Sequence, residues 1–132
     1  MNKPIATVVG GRKVLLLDSI TWVAADDAGH IVITGSHGGR SAGDYAVLFP
    51  LALCCLNDAG VGKEQAGVVA LDMLEERGIP GVTFSHDSAR IGEALDAWEH
   101  GTISHLNASA TALGLTAEAS LREEIERVFI PR

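Results

Sequence analysis

The stretch Leu51-Ala52-Leu53-Cys54-Cys55-Leu56, followed at once by Asn57-Asp58-Ala59-Gly60-Val61-Gly62-Lys63, decides the fold. The apolar run has no polar alternation, so it predicts a strand covered on both faces, as the central strands of a parallel sheet are. The polar, glycine-containing segment behind it predicts a loop at the strand's carboxyl end. Neighbouring strand residues point to opposite faces, so Cys54 and Cys55 are expected to be buried apart, with no disulfide between them.

Working outward, strand-like runs alternate with helical patterns, which is the grammar of an α/β fold. Ala66, Val69, Ala70, Met73 and Leu74 share one helical face and predict a helix over 62–77 that Gly78 stops. A strand over 81–85 comes next. A helix starting at Asp87 or Ser88 should follow, with Ile91, Ala94, Leu95 and Trp98 inward. Residues 104–113 predict a shorter helix, and Thr116 caps a last one whose stripe is Leu121, Ile125, Val128 and Phe129. On the amino-terminal side, Ser41-Ala42-Gly43-Asp44 has capping-box spacing for a short helix ending near Pro50. Before it, strands are expected over 5–9, 13–17, 20–24 and 30–34, with Gly10-Gly11 as a hairpin turn and 26–29 as a second turn. The expectation is one α/β domain over 1–132. Its central sheet is mainly parallel, with an N-terminal antiparallel hairpin portion and flanking helices.

Composition narrows the function classes. The chain has 132 residues, 47% apolar and 20% charged, enough material for a core and too little for two domains. Seventeen acidic against ten basic residues give a net charge of −7, which argues against a polyanion, so no nucleic acid is expected as partner. No run approaches the roughly 18 apolar residues of a membrane span, and the first residues do not have the order of a secretory signal. No membrane partner and a cytoplasmic location are expected.

Chemistry-bearing residues gather where the strands of the α/β part end. The loops are 35–41, 57–63 and 85–90, and parallel strands would bring all three to one edge, where open α/β sheets bind ligands near a reversal of strand order. His37 and His86 each follow a serine just after a strand and are the acid/base candidates. Asp58 and Asp87 are candidate carboxylates to orient an imidazole, and Ser36 and Ser85 are possible nucleophiles. Each loop is also expected to open a helix. Arg40, Lys63 and Arg90 near those helix starts, with Gly38, Gly39, Asn57, Gly60, Gly62 and Ser88, would then bind an anion. Neither glycine-rich segment has the spacing of a nucleotide fingerprint. His37, Asp58, His86, Asp87 and His105 include no ligand pair at a diagnostic spacing, so no metal and no cofactor are expected.

One partial likeness exists. A strand end with His-Gly, then a later strand end with an acidic residue, Ala and Cys, is the arrangement of the caspase-like cysteine peptidases, and His37-Gly38 and Asp58-Ala59 resemble it. Gly60 stands where that family's nucleophilic Cys belongs, and the two pairs lie closer together here, so the resemblance implies no peptidase activity.

Together these features lead to the expectation of a small-molecule enzyme doing hydrolysis or related acid/base chemistry on a carboxylate- or phosphate-bearing metabolite. The alternative is a non-catalytic module for a small anion, or an accessory subunit. In so short a chain the site would be shallow, or shared between copies in a homo-oligomer.

Overall fold

A computed structural model describes residues 3–130. It shows one six-stranded sheet with strands in sequence order. The strands are β1 (Ile5–Val9), β2 (Arg12–Leu17), β3 (Ile31–His37), β4 (Leu53–Asn57), β5 (Gly81–Phe84) and β6 (Ile103–Leu106). β1 and β2 form the antiparallel hairpin, β2 to β5 run parallel, and β6 returns antiparallel to β5. The helices are α1 (Arg40–Ala46), α2 (Val69–Glu76), α3 (Ala94–His100), α4 (Ala108–Leu113) and α5 (Leu121–Phe129). The fold is therefore the α/β arrangement expected from the apolar runs. No helix among the described residues is long and apolar enough to cross a membrane.

The sheet separates two half-cores, and β2, β3 and β4 feed both. Leu15, Leu17, Val32, Cys54 and Leu56 pack against α1 and α2 through Ala42, Ala46, Ala70, Leu71 and Leu74. Leu16, Ile31, Ile33, Cys55, Val82 and Phe84 pack against α3, α4 and α5 through Ala94, Trp98, Ala110, Leu121 and Ile125. Cys54 and Cys55 thus lie on opposite faces, both free and both fully buried. Burial pushes the Cys54 thiol up to about 12, which leaves it no thiolate character at neutral pH.

Several boundaries differ from the sequence reading, each for a local reason. Residues 20–24 are not a strand: Ile20–Trp22 forms a 3-10 turn, with Ser19 accepting from the Thr21 amide and Ser36 Oγ accepting from the Ile20 amide at 3.0 Å. Ile20 enters the core there, and β3 pairs directly and in parallel with β2. Ser41 caps nothing, because α1 begins one residue before it, with Gly39 at the N-cap and no side-chain cap bond. The helix expected over 62–77 is regular only from Val69. The next helix starts at Ala94, capped from a distance by Asp18 Oδ1, which accepts the Ala94 amide at 2.9 Å. Ile91 and Leu95 consequently face solvent, whereas Ala94, Ala97 and Trp98 point inward. Residues 104–113 divide into β6 and α4, with Asn107 capping α4 through the Ala110 amide. The last helix is capped by Ser120 and not by Thr116.

Thr116 has a different task. Its amide and hydroxyl donate to Glu124 Oε1 at 2.8 and 2.7 Å, and the Arg127 guanidinium donates to both carboxylate oxygens at 2.9 to 3.0 Å. Arg127 first, then the two Thr116 donors, hold the nearly buried Glu124 carboxyl down at about 2 against the opposing effect of burial. A depressed folded-state value means that this contribution is complete above the ordinary 4.5 and is lost as pH falls toward 2. Urea unfolding at pH 6 and near pH 2 should therefore show the parent chain losing on the order of 2 kcal/mol more than Glu124→Gln. Equal acid sensitivity of the two would contradict this role.

Candidate functional site

The carboxyl ends of β3, β4 and β5 adjoin, since His37 is in register with Asn57 and Asn57 with Phe84. The three loops therefore emerge at one edge. No strand order reverses, but the chain changes face there: the loop after β4 leads to α2 on one side of the sheet and the loop after β5 to α3 on the other. Divergence of neighbouring loops is what opens a crevice at a sheet's carboxyl edge.

Asp58 and His86 meet across this divergence. Asp58 Oδ1 accepts the amides of Gly60 at 2.8 Å and His86 at 3.0 Å, and His86 Nδ1 lies 3.4 Å from it. On its other side, His86 Nε2 is 3.1 Å from the exposed Asp87 carboxylate. Burial acts to raise the Asp58 pKa. The Gly60 amide, the Ser104 hydroxyl and the His86 amide and ring outweigh that effect and hold it below the usual aspartate value. Asp58 is therefore a nearly buried, ionised carboxylate oriented on a half-exposed imidazole. That is how a carboxylate fixes a histidine in general acid/base sites.

The loop between β4 and α2 is held by strained backbone. Ala59, Val61, Glu64 and Gln65 have φ values of 52°, 67°, 55° and 60°, a left-handed conformation that is costly for side-chain-bearing residues and most so for a β-branched valine. Asn57 and Asp58 impose it by capturing the first amides. Asn57 Oδ1 takes the Ala59 amide at 2.8 Å while its Nδ2 donates to the Ala89 carbonyl at 2.9 Å. The loop then closes over β3: the Gly67 amide donates to Val61 at 2.6 Å and the Ala70 amide to Gly38 at 2.8 Å. A Cβ on Gly38 would overlap the Gly67 carbonyl oxygen, and one on Gly67 would overlap that of Asp58.

His37 stands apart from the Asp58–His86 pair. Adjacent strands lie roughly 4.8 Å apart, so the ends of β3 and β5 are separated by about 10 Å. His37 lines a cleft of about 300 Å³ above the ends of β2 and β3, together with Asp18, Ser19, Ser36, Ser41 and Tyr45. Its ring has no hydrogen-bond partner among the described residues. A Cβ on Gly39 would come within 2.6 Å of His37 Cε1, so the glycine leaves room for the ring. Asp18, Ser19 and Tyr45, absent from the sequence reading, follow no motif and join the cleft only through tertiary packing.

The remaining candidates are dispersed. Ser85 is half-buried beside His86, and Ser88 Oγ donates to the Ser85 carbonyl and accepts from the Thr102 amide. Arg40 opens α1 and lines a groove with Asp44, Asp72 and Glu76. Lys63 is exposed in a 3-10 turn, and Arg90 precedes α3 with its guanidinium 3.8 Å from Glu93. Only the loop containing Arg40 opens directly into a helix, which corrects that expectation for Lys63 and Arg90. The amides of Gly38, Gly60 and Gly62 all donate within the chain, to Asn57, Asp58 and Gly60 respectively. Among the described residues no three His, Cys, Asp or Glu side chains gather into a metal-binding group.

Comparison with protein families, with characterised proteins and with solved structures finds no match. In the likeness to caspase-like peptidases, Gly60 offers Asp58 only a backbone amide where a thiol would stand.

Replacing Asp58 by alanine leaves two loop amides without their acceptor. Stability should drop by roughly 1–3 kcal/mol, and hydrogen exchange at Gly60 and His86 should accelerate selectively. Unchanged protection at both amides would show that the carboxylate does not organise the edge.

Proposed function

We propose that the carboxyl edge of the sheet is the active site of a small-molecule enzyme, with His37 as its acid/base group and a carboxylate- or phosphate-bearing metabolite as its substrate. The observation that carries this reading is the bare imidazole of His37 at a hydroxyl-lined cleft. A histidine kept for structure spends its ring nitrogens on protein partners, as His30 does in accepting the Lys13 amide. His37 has room for its ring and hydroxyls beside it, and its proton is free for a bound molecule.

Arg90 fits the anionic handle. It stands one residue from Ile91, which lines the cleft, and is exposed, whereas Arg40 belongs to the separate groove with Asp44, Asp72 and Glu76. A guanidinium on a long stem reaches a carboxylate or phosphate at such a mouth and binds it through paired hydrogen bonds. Within the cleft, Ser36 Oγ already accepts from Ile20, so its hydroxyl proton points to a ligand more readily than it leaves as that of a nucleophile. General acid/base hydrolysis by His37 suits this arrangement better than covalent catalysis by serine. His86, held by Asp58, is the second proton-handling group on the neighbouring strand end.

A thermal-shift screen of small carboxylates and phosphate esters, followed by turnover measurements on the compounds that bind, tests the reading. His37→Asn should lower turnover by about 100-fold or more while leaving affinity within a few-fold. Arg90→Ala should weaken binding by roughly tenfold or more. Tight binding without turnover by the parent chain would establish the non-catalytic anion module instead. Wild-type turnover by His37→Asn would end the acid/base assignment.

A further inference from the structure

Away from the strand-end loops, a cavity of about 490 Å³ is lined by Lys3, by residues of β1 and β2, and by the segment between β2 and β3. None of α1 to α5 contributes to its walls. The floor is apolar. Ile5 and Leu15 are cross-strand partners, and Leu15 and Trp22 belong to the half-core under α1 and α2, whereas Ile5 is left 50% exposed. The 3-10 turn Ile20–Trp22 divides this cavity from the His37 cleft, with Thr21 lining both.

Charges of both signs meet above the floor. Lys3 Nζ donates to Asp27 Oδ2 at 2.5 Å, and the same oxygen accepts the Ala24 amide at 2.8 Å. Asp27 is only 3% exposed, yet its Oδ1 has no hydrogen-bond partner among the described residues. Thr34 Oγ1 is the one unpartnered side-chain atom there that is sealed from solvent, so Asp27 Oδ1 opens into the cavity that the residue lines. An ammonium carries three protons, and Lys3 keeps two beyond the one that Asp27 takes. The ion pair therefore presents a free acceptor and free donors side by side. His30 Nδ1 accepts the Lys13 amide at 3.0 Å, which places the proton of the neutral ring on Nε2 as a further donor. Lys3 and Lys13 balance Asp26 and Asp27 in the lining, so the cavity favours neither a net anion nor a net cation.

We infer that this cavity binds a small zwitterion with adjacent ammonium and carboxylate groups on an apolar body, the class of the apolar α-amino acids. The ligand's ammonium donates to Asp27 Oδ1 and its carboxylate accepts from Lys3, so the ligand carries the same two charges side by side as the pair that holds it. Its side chain covers Ile5, Leu15 and Trp22 and buries apolar surface that no helix covers. A carboxylate alone would meet Asp26 and Asp27, and an amine alone would meet Lys3 and Lys13, so each charge of the zwitterion is accepted only with the other. A volume of about 490 Å³ falls within the roughly 300–1,000 Å³ of small-molecule sites. The site is independent of the acid/base reading of the strand ends.

The probes are L-leucine and L-phenylalanine, each compared with its analogues lacking the amine or the carboxylate. Two-dimensional NMR of the whole protein, followed at the Trp22 indole and the His30 ring, reads the place of binding, and the titration midpoint reads the affinity. At least one amino acid should shift both signals to saturation, and its one-charge analogues should bind about tenfold more weakly or worse. Asp27→Asn keeps an acceptor for the Ala24 amide and should weaken amino-acid binding by about tenfold. Lys13→Gln should weaken it by roughly threefold. Lys13 is exposed, so this second variant keeps the fold and the test decisive even if Asp27→Asn unfolds. No saturable shift with either amino acid, equal binding of a one-charge analogue, or parent affinity in either variant would overturn the site. Shifts confined to His37 and Tyr45 would assign the binding to the other cleft and overturn it as well.

Discussion

Burial of β4 on both faces is the constraint from which the rest of the molecule follows. All five of its residues are buried, with β3 and β5 as parallel neighbours. Right-handed crossovers from β3 to β4 and from β4 to β5 place their helices on the same side, and α1 and α2 do share one half-core. The other face must be covered by what comes after β5, which is the work of α3, α4 and α5. The chain is therefore obliged to change sides after β5. The divergence of loops where Asp58 and His86 meet is a consequence of covering a two-sided strand.

Divergent loops would leave strand-end backbone uncovered, and the protein closes that gap with side chains. Asn57 bridges the two loops by taking the Ala59 amide and donating to the Ala89 carbonyl. Asp58 does the same through Gly60 and His86. The segment after β5 then runs back across the neighbouring strand ends, joining Gly92 to Gly35 and Ala94 to Asp18. The strained residues between 59 and 65 are the cost of these closures. Each left-handed residue disfavours the loop by about 1–3 kcal/mol, and fixed hydrogen bonds from buried acceptors offset it. An edge built in this way is rigid at Asn57 and Asp58 and open at His37, where no such acceptor intervenes.

The strands were legible because their apolar runs answer to a single requirement, burial, that does not depend on distant partners. The 51–56 run becomes β4, and Gly10-Gly11 turns β1 into β2. Helix starts were less legible, since each is decided by a bond to another part of the chain. The spacing of Ala66, Val69 and Ala70 is helical, yet capture of the Ala59 and Gly60 amides delays α2 to Val69. Ser88 has the chemistry of a cap, but it is tied to Thr102, and Asp18 supplies the cap six residues later. Residues 104–106 read as part of a helix because Ser, His and Leu show no long apolar run; an edge strand needs none, and its partner β5 supplies the order. At the site, the gathering of strand-end loops was visible from pattern alone. The division of their residues between a cleft and a carboxylate–imidazole pair was not, because it depends on which side of the sheet each loop leaves.

That division explains why two identical dipeptides acquire different chemistry. Ser36-His37 and Ser85-His86 both close a parallel strand. Behind His37 come Gly38 and Gly39, which carry the chain straight into α1, and among the described residues no carboxylate pairs with the ring, Asp18 lining the same cleft without an ion pair to it. Behind His86 the chain turns to the other side, past Asp58 of the next strand and with Asp87 at its own shoulder. An imidazole between two carboxylates can donate to both only in its doubly protonated form, whereas a bare one is free in either state. The sheet thus sets two histidines on strand ends about 10 Å apart, in unlike surroundings. Unlike environments around paired titratable groups are the usual way in which one site obtains an acid and a base together.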